Sequence, residues 1–148
     1  MATVDGYDSR ADGERGEPTP RELIVARLRD NGPSTVIDLP WPPSVNHYYR
    51  RTAKGVTIGK AGIRYRCMVR SIIVARRIRQ HDGRLAIAVL ATPPDRRRRD
   101  LDNLWKCLLD SLQHAGMYLD DTSIKCQAII MDDKTTKGGR LTVQLWER

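Results

Sequence analysis

The chain has little cysteine and no long apolar stretch. Its 148 residues include three cysteines, Cys67, Cys107 and Cys126, which are widely spaced and form no Cys-x-x-Cys pair, so neither a disulfide framework nor a zinc site is expected. The longest strictly apolar stretch, residues 85–91, is far shorter than the ~20 residues that span a bilayer, and residues 1–16 lack the apolar segment of a secretory signal. We therefore expect a cytoplasmic protein with no membrane segment.

Negative charge is scarce over most of the chain, and the scarcity is uneven. Residues 1–34 carry five Arg against seven Asp and Glu, whereas residues 35–148 carry 21 basic against 11 acidic residues, a net of +10. A surplus of this size favours a polyanionic partner, most simply nucleic acid, through phosphate contacts and counterion release. Basicity that only aids solubility is the alternative reading of the charge alone.

The length allows one domain with an appendage. Residues 1–18 have almost no large apolar side chain, so we expect a disordered tail. Residues 19–34 begin with a capping box formed by Thr19 and Glu22 and continue with apolar residues at helical spacing, which predicts a helical extension that docks on the domain or on a protein partner. Residues 35–148 are left for a single folded domain.

Within that domain, periodicity and turn signals predict an alternation of strands and helices. The apolar face of the first long helix is expected to include Ile63, Cys67, Ser71, Val74 and Ile78. The clearest helical stripe begins at Leu101 and ends at Ala115-Gly116. The predicted elements are a strand at 36–39, a Tyr-rich basic arm at 46–60 with a turn at Lys54-Gly55, a helix at 61–80, a strand at 84–91, the striped helix, and strands at 123–131 and 140–147.

This order favours an α+β fold, a two-layer sandwich in which a mixed β-sheet carries its helices on one face. The last two strands are separated by a short stretch that contains Gly138-Gly139. We therefore expect them to pair as a terminal hairpin.

The most unusual segment is an arginine run that ends in carboxylates, Asp-Arg-Arg-Arg-Arg-Asp-Leu-Asp-Asn at residues 95–103. It lies where the strand gives way to the striped helix. Asp102 is placed at the helix N-terminus, where the dipole favours an anion, and Lys106 follows one turn later on the same face. The plain alternative is that Asp100 or Asp102 only caps the helix, and that Asp102 and Lys106 form an ordinary surface pair.

A second acidic pair, Asp120-Asp121, precedes the next predicted strand. We expect the sheet to bring it beside Asp100 and Asp102, so that four carboxylates converge. Such hard oxygen ligands suit Mg²⁺, with Mn²⁺ as a substitute. With a polyanionic substrate, this arrangement indicates metal-dependent hydrolysis of a phosphodiester, in which Lys106 acts at the phosphate and the arginines of residues 96–99 hold the flanking backbone.

Four blocks of sequence also resemble a known family, the RusA Holliday-junction resolvases, which are homodimeric, Mg²⁺-dependent DNA endonucleases of bacteria and their phages. The blocks are residues 39–50, 94–104, 119–121 and 136–140, in the order of the family. The resemblance implies a RusA-like fold and an enzyme that resolves four-way junctions by paired, symmetric phosphodiester hydrolysis in DNA recombination and repair. It also implies a homodimer that acts on four-way and other branched DNA.

Residue by residue, the resemblance assigns Asp100, Asp102 and Asp121 as catalytic, metal-binding carboxylates, with Asp120 as an additional candidate, and Lys106 as the essential lysine. Tyr48 and Tyr49 flank basic residues and are candidates for stacking on unpaired bases. The full set of predicted DNA-binding residues is Asn46, Tyr49, Arg50, Arg51, Lys54, Arg96, Arg97, Arg98, Arg99, Lys137 and Arg140.

Two other functions are weighed against this one. A non-catalytic protein that binds junctions or duplex DNA would use the same basic surface, with its Asp residues serving as structural caps. A nuclease of the restriction-endonuclease type, for which Pro94-Asp95 would be the start of the motif, is the other alternative.

Overall fold

Six strands, two long helices and two single-turn helices make up the domain. The structure is a computed structural model that describes residues 17–19, 22, 26 and 34–147. The elements are β1 (Ser34–Pro40), α1 (Val45–Tyr48), β2 (Tyr49–Thr52), β3 (Gly55–Ile58), α2 (Lys60–Ala75), β4 (Leu85–Thr92), α3 (Leu101–His114), a 3₁₀ turn (Asp121–Ser123), β5 (Ile124–Met131) and β6 (Arg140–Glu147).

The main sheet has the strand order β1-β6-β4-β5, and β2 and β3 form a separate antiparallel hairpin. β6 is antiparallel to both β1 and β4, whereas β5 is parallel to β4. The mixed sheet and the α+β class are confirmed. The predicted terminal hairpin is wrong because β4 lies between β5 and β6 and pairs with both along almost its whole length.

The position of β4 follows from its composition. Its sequence is Leu-Ala-Ile-Ala-Val-Leu-Ala-Thr, and all of these residues except Leu90 are buried. A strand without a charged side chain on either face is suited to the centre of a sheet, where neighbours cover both edges. Pairing β5 directly with β6 would leave this strand at an edge.

The core lies between the sheet and the two long helices. Alternate residues of β1, β4 and β6 point to the same side and pack against apolar side chains of α2 and α3. The largest fully buried side chains include three tyrosines, Tyr48, Tyr65 and Tyr118. Burial of apolar surface on this scale is the main source of stability.

Helix α2 turns a different face to the core from the one expected. The buried residues are Gly62, Tyr65, Val69 and Ile73, whereas Ile63 and Val74 are 50% and 65% exposed. The reason is local. The Tyr65 hydroxyl donates a hydrogen bond to the Pro40 carbonyl at 2.9 Å, and a side chain at Gly62 would collide with the Tyr48 carbonyl. Cys67 and Ser71 of the expected face are exposed as well, whereas Ile78, which lies beyond the end of the helix, is half-buried against the core.

Three of the sequence blocks meet at the end of the sheet where β4 finishes. Gly139 has φ +71°, and a Cβ built there would lie 2.8 Å from the Trp41 Cβ and 2.9 Å from the Pro94 Cδ. The Thr136 N–H donates to the Pro93 carbonyl at 3.0 Å. The loop before β6 is therefore packed against the start of the arginine run.

The segment before β1 is described only at a few residues. The Thr19 N–H donates to the Glu22 carboxylate at 2.8 Å, and the Glu22 N–H donates to the Thr19 hydroxyl at 3.2 Å, so the capping box is confirmed. Residues 1–16 of the predicted tail (residues 1–18) and most of the helical extension lie outside the described residues. Within the part of the chain that the structure describes, no helix is long and apolar enough to cross a membrane.

The close contact at Gly139 gives a stability prediction. Gly139→Ala should lower the free energy of unfolding by about 2–4 kcal/mol, because it combines a left-handed backbone with a collision against Trp41 and Pro94. Gly138→Ala is the matched control, since Gly138 has φ +80° but open space around it, and it should cost only about 1–2 kcal/mol. Urea unfolding measures both, and equal losses would contradict the packing role of Gly139.

Candidate active site

Helix α3 begins directly after the arginine run, and its first residues carry the carboxylates. Asp100 is the N-cap, and its carboxylate accepts a hydrogen bond from the Asp102 N–H at 3.1 Å. Asp102 lies in the first turn and is exposed, where the helix dipole favours its negative charge. The capping role weighed for Asp100 is therefore present, and it leaves the Asp102 carboxylate at the surface.

One face of α3 carries three charged residues one turn apart. Asp102, Lys106 and Asp110 are spaced by four residues, which places them in a row along the helix. The Lys106 side chain is exposed, and its Nζ lies 5.0 Å from the centre of the Tyr49 ring. Asp110 was missed from the sequence, although its spacing from Lys106 was a usable signal.

The second acidic pair lies beside the far end of α3. The Asp120 carboxylate caps the 3₁₀ turn by accepting the Thr122 N–H at 2.7 Å, and this hydrogen bond is the largest cause of its lowered pKa. The pKa of Asp110 is raised, first by burial and then by the negative charge of Asp121. The electrostatic neighbour of Asp121 on α3 is thus Asp110.

The expected convergence of four carboxylates is not found. Asp102 and Asp110 are eight residues apart, which corresponds to ~12 Å along a helix axis, and Asp121 lies near Asp110. Among residues 17–19, 22, 26 and 34–147, no three His, Cys, Asp or Glu side chains are placed to hold one metal ion. Asp121 is the electrostatic neighbour of Asp110, which lies two helical turns after Asp102.

The donor chemistry nevertheless fits a hard divalent cation. All candidate ligands are carboxylates, and Asp100, Asp102, Asp120 and Asp121 are exposed. The raised pKa of Asp110 reflects burial together with repulsion from Asp121, and a bound cation would relieve that repulsion.

The arginine run divides into one anchored residue and three exposed ones. Arg99 lies 2.8 Å from the Asp95 carboxylate, and its Nη1 donates to the backbone carbonyls of Asp95 and Arg97 at 3.0 Å. Its guanidinium also lies 5.5 Å from the Trp41 ring centre. The Arg97 N–H and then Arg99 lower the pKa of Asp95. Arg99 therefore holds the loop together, while Arg96, Arg97 and Arg98 are exposed.

A groove of about 720 Å³ separates α3 from the β2–β3 hairpin. Lys106 lies at its α3 side, and Lys60, which belongs to the predicted basic arm but not to the predicted DNA-binding residues, lines it as well. Lys54 sits on the exposed hairpin turn and is not among the lining residues. Four of the predicted DNA-binding residues line the groove: Asn46, Tyr49, Arg50 and Arg51.

Tyr48 does not belong to that exposed surface. It is fully buried, and its hydroxyl lies 2.7 Å from the Ser111 hydroxyl of α3 and accepts from Arg66 Nε at 2.8 Å. The expectation that Tyr48 stacks on bases is therefore wrong. Its hydrogen bond instead fixes the base of the hairpin against α3.

The remaining predicted DNA-binding residues lie at the sheet edge. Lys137 and Arg140 line a groove of about 350 Å³ together with Asp38. The Arg140 Nε is 4.0 Å from the Asp38 carboxylate, so part of its charge is balanced. Lys137 is exposed.

Comparison with known proteins agrees with this arrangement of blocks. The family model for "Endodeoxyribonuclease RusA" matches residues 40–146. The crossover junction endodeoxyribonuclease of Enterobacteria phage HK97 is 44% identical over 110 residues, covering 74% of this chain and 91% of the relative. That of phage 82 is 42% identical and that of Escherichia coli K12 is 41% identical, each over 115 residues, 75% of this chain and 92% of the relative.

The fold and these matches define the class as that of DNA-cutting endonucleases. More narrowly, the chain belongs to the RusA family. Residues before 40 lie outside the matched region.

The electrostatics of Asp110 predict a dependence of stability on pH. A carboxyl whose pKa is raised on folding destabilises the folded state once it ionises, so the penalty is absent below its unfolded pKa and complete above its folded one. In EDTA at pH 7, Asp110→Asn should therefore raise the free energy of unfolding by less than about 1 kcal/mol, since the group is partly solvated. The gain should vanish as the pH falls to about 3.

Thermal unfolding across this pH range measures the effect. Asp82→Asn, at an exposed position in the turn before β4, is the control and should change little. A loss of stability in Asp110→Asn at neutral pH would contradict the assigned electrostatics.

Proposed function

We propose that this protein resolves four-way DNA junctions by paired phosphodiester hydrolysis. The observation that carries the proposal is the row of Asp102, Lys106 and Asp110 on an exposed face of α3, bordered by basic residues, in a chain of the RusA family. Its relatives from phages and bacteria are named crossover junction endodeoxyribonucleases. The four-way junction, and branched DNA more generally, is accordingly the proposed substrate.

The proposed metal is Mg²⁺, with Mn²⁺ as a substitute, and its proposed ligands are Asp100, Asp102 and Asp121, with Asp120 as an additional candidate. Because these side chains do not form a three-ligand group in this structure, a shared ion would have to draw the two acidic pairs together. When bound, the ion supplies positive charge that stabilises the charge developing on the phosphate. Lys106 lies one helical turn from both Asp102 and Asp110, which supports a role for its ammonium in binding the same phosphate and orienting it for attack by water. The negative helix face would otherwise repel the DNA.

Basic side chains on both flanks of α3 support binding of the DNA backbone. On one side stand Arg96, Arg97 and Arg98, and on the other the groove contributes Arg50 and Arg51. Contacts of this kind fix position without reading sequence. They suit an enzyme that selects the shape of a branched substrate.

We further propose that the protein acts as a homodimer, since a four-way junction has two-fold symmetry and paired cuts need two sites. Exposed apolar side chains on α2, Ile63, Met68 and Val74, are surface that a second copy can cover. The proposed setting is DNA recombination and repair in the bacterial cytoplasm. The gene for the protein would belong to a bacterium or a phage. A protein partner recruited through residues 19–34 is a separate proposal.

A second candidate function is binding of junctions without catalysis. The helix-capping roles of Asp100 and Asp120 favour it. The carboxylates of Asp100 and Asp120 both accept backbone N–H groups at the start of a helical turn. In that case these residues shape the protein and do not cut DNA. Cleavage assays with the carboxylate variants separate the two functions.

The main prediction is that the purified chain with Mg²⁺ nicks a labelled four-way junction symmetrically and leaves matched linear duplex intact. Asp102→Asn should reduce the cleavage rate by about 10³-fold or more, because a proposed ligand of the metal ion that stabilises charge on the phosphate is lost. Binding measured in EDTA should remain. The rate under single turnover is the measurement, and Asp82→Asn is the control variant.

If wild type and Asp102→Asn both bind the junction and neither cuts it with any divalent ion, the protein is the junction-binding one. If Asp102→Asn loses both binding and cleavage, the substitution has disrupted the DNA-binding surface and says nothing for a catalytic role of Asp102.

The two kinds of arginine in the run should behave differently. Arg98→Ala should weaken junction binding and lower the slope of log K against log salt by about 0.9, the value for one phosphate contact. Arg99→Ala should lower the free energy of unfolding by about 1–3 kcal/mol, because it loses the contacts to Asp95, Arg97 and Trp41. Salt titrations of binding and urea unfolding of both variants test this, and an unchanged salt slope in Arg98→Ala would contradict its phosphate contact.

A further inference from the structure

Lys106 needs a support if it is to act at a defined place. Its side chain is exposed, and a free lysine side chain populates many rotamers, so holding its ammonium in one position has an entropic cost. Lys106 has no salt bridge to Asp102 or Asp110 within 4.0 Å, as far as the described residues show. Its recorded contact is with an aromatic ring: the Nζ lies 5.0 Å from the centre of Tyr49.

The Tyr49 ring is well held. Its centre lies 4.7 Å from that of Tyr48, at an interplanar angle of 54°. Tyr48 is in turn fully buried and hydrogen-bonded to Ser111, which lies on the same helix as Lys106. The ring is thus fixed relative to α3 through Tyr48.

The hydroxyl of Tyr49 forms no contact that would favour a tyrosine at this position. Its oxygen is buried and has no hydrogen-bond partner among the described residues. A buried hydroxyl without a partner is unfavourable. The part of Tyr49 that makes contacts is therefore the ring, between Tyr48 and the Lys106 ammonium at the edge of the groove.

We propose that Tyr49 is a positioning residue, whose ring holds the Lys106 ammonium beside Asp102 at the mouth of the groove. The inference rests on the proposed function, in which Lys106 acts on the scissile phosphate. A cation over an aromatic face is attracted to its negative charge distribution. Tyr49 therefore reduces the positions open to Lys106 and keeps it where the phosphate lies.

This role predicts an effect on the rate of cutting that exceeds any effect on binding. With saturating junction and Mg²⁺, Tyr49→Leu should cut about fivefold more slowly under single turnover. The junction Kd in EDTA should change by a smaller factor than the rate, because Arg50 and Arg51 still line the groove. Tyr49→Phe keeps the ring and should restore the rate to within about twofold of wild type.

A second measurement does not depend on the folding of Tyr49→Leu. In the wild-type protein and in Tyr49→Phe, the NMR signals of the Lys106 ε-methylene protons should be shifted upfield by the ring beside them. Signals at the position of an ordinary exposed lysine would overturn the proposal, whatever the kinetics. A rate for Tyr49→Leu equal to wild type would overturn it too, as would a Tyr49→Phe as slow as Tyr49→Leu, or a Kd that changes by the same factor as the rate.

Failure of this inference can be told apart from failure of the proposed function. If the wild-type protein does not cut junctions with Mg²⁺, the function itself is wrong. If it cuts, and Lys106→Ala cuts as fast, the role given to Lys106 is wrong. If only Lys106→Ala is slow and Tyr49→Leu is not, the positioning role of Tyr49 alone is overturned.

Discussion

The close packing of Gly139 against Trp41 and Pro94 is the contact on which the arrangement of the site depends. A side chain at position 139 would overlap both neighbours, so the loop before β6 can pack this closely on the segments after β1 and β4 only because residue 139 is glycine. The ion pair of Arg99 with Asp95, reinforced by the Trp41 ring, closes the same corner. Because α3 starts directly after this corner, the packing determines where Asp102, Lys106 and Asp110 face. The shared sequence blocks therefore mark a structural junction as much as a chemical one.

A second constraint places the hairpin opposite α3. Tyr48 is buried where α1 ends, and its hydroxyl meets Ser111. Gly62 permits α2 to approach the Tyr48 carbonyl closely. The groove beside Lys106 exists because these contacts hold the base of the hairpin while its turn remains exposed. Tyr48 thus joins the exposed hairpin to the buried core, and Tyr49 follows it directly in the chain.

Much of the fold could be predicted because its signals are local. The stripe from Leu101 to Leu112 and the glycine after Ala115 identify α3, and the apolar run from Leu85 identifies β4. Two features could not be predicted because they depend on distant parts of the chain. β5 pairs with β4 and not with β6 because β4 is the strand that must be central in the sheet. The buried face of α2 is decided by contacts of Tyr65 and Gly62 with a different segment, although Ile63 and Val74 are equally apolar.

The site shows the same division. Spacing alone puts Asp102 and Lys106 on one face, and a longer reading of that spacing includes Asp110. The position of Asp121 depends on the direction of α3 relative to β5, which no local pattern specifies. α3 starts at the end of the sheet where β4 ends, and β5, which is parallel to β4, starts at the opposite end. Asp121, just before β5, is the electrostatic neighbour of Asp110, two turns along α3 from Asp102. The acidic groups are thus arranged along a helix with a lysine between them.

The central claim is that this face of α3 is where the metal ion and the phosphate act. Paramagnetic broadening by Mn²⁺ in the amide spectrum of the protein tests it most directly, since the effect falls steeply with distance from the ion. The account predicts broadening at substoichiometric Mn²⁺ confined to residues 100–103 and 119–122 and the adjacent turns of α3, and its loss at 100–103 in Asp102→Asn. Broadening centred elsewhere, or none at millimolar Mn²⁺, would contradict the claim.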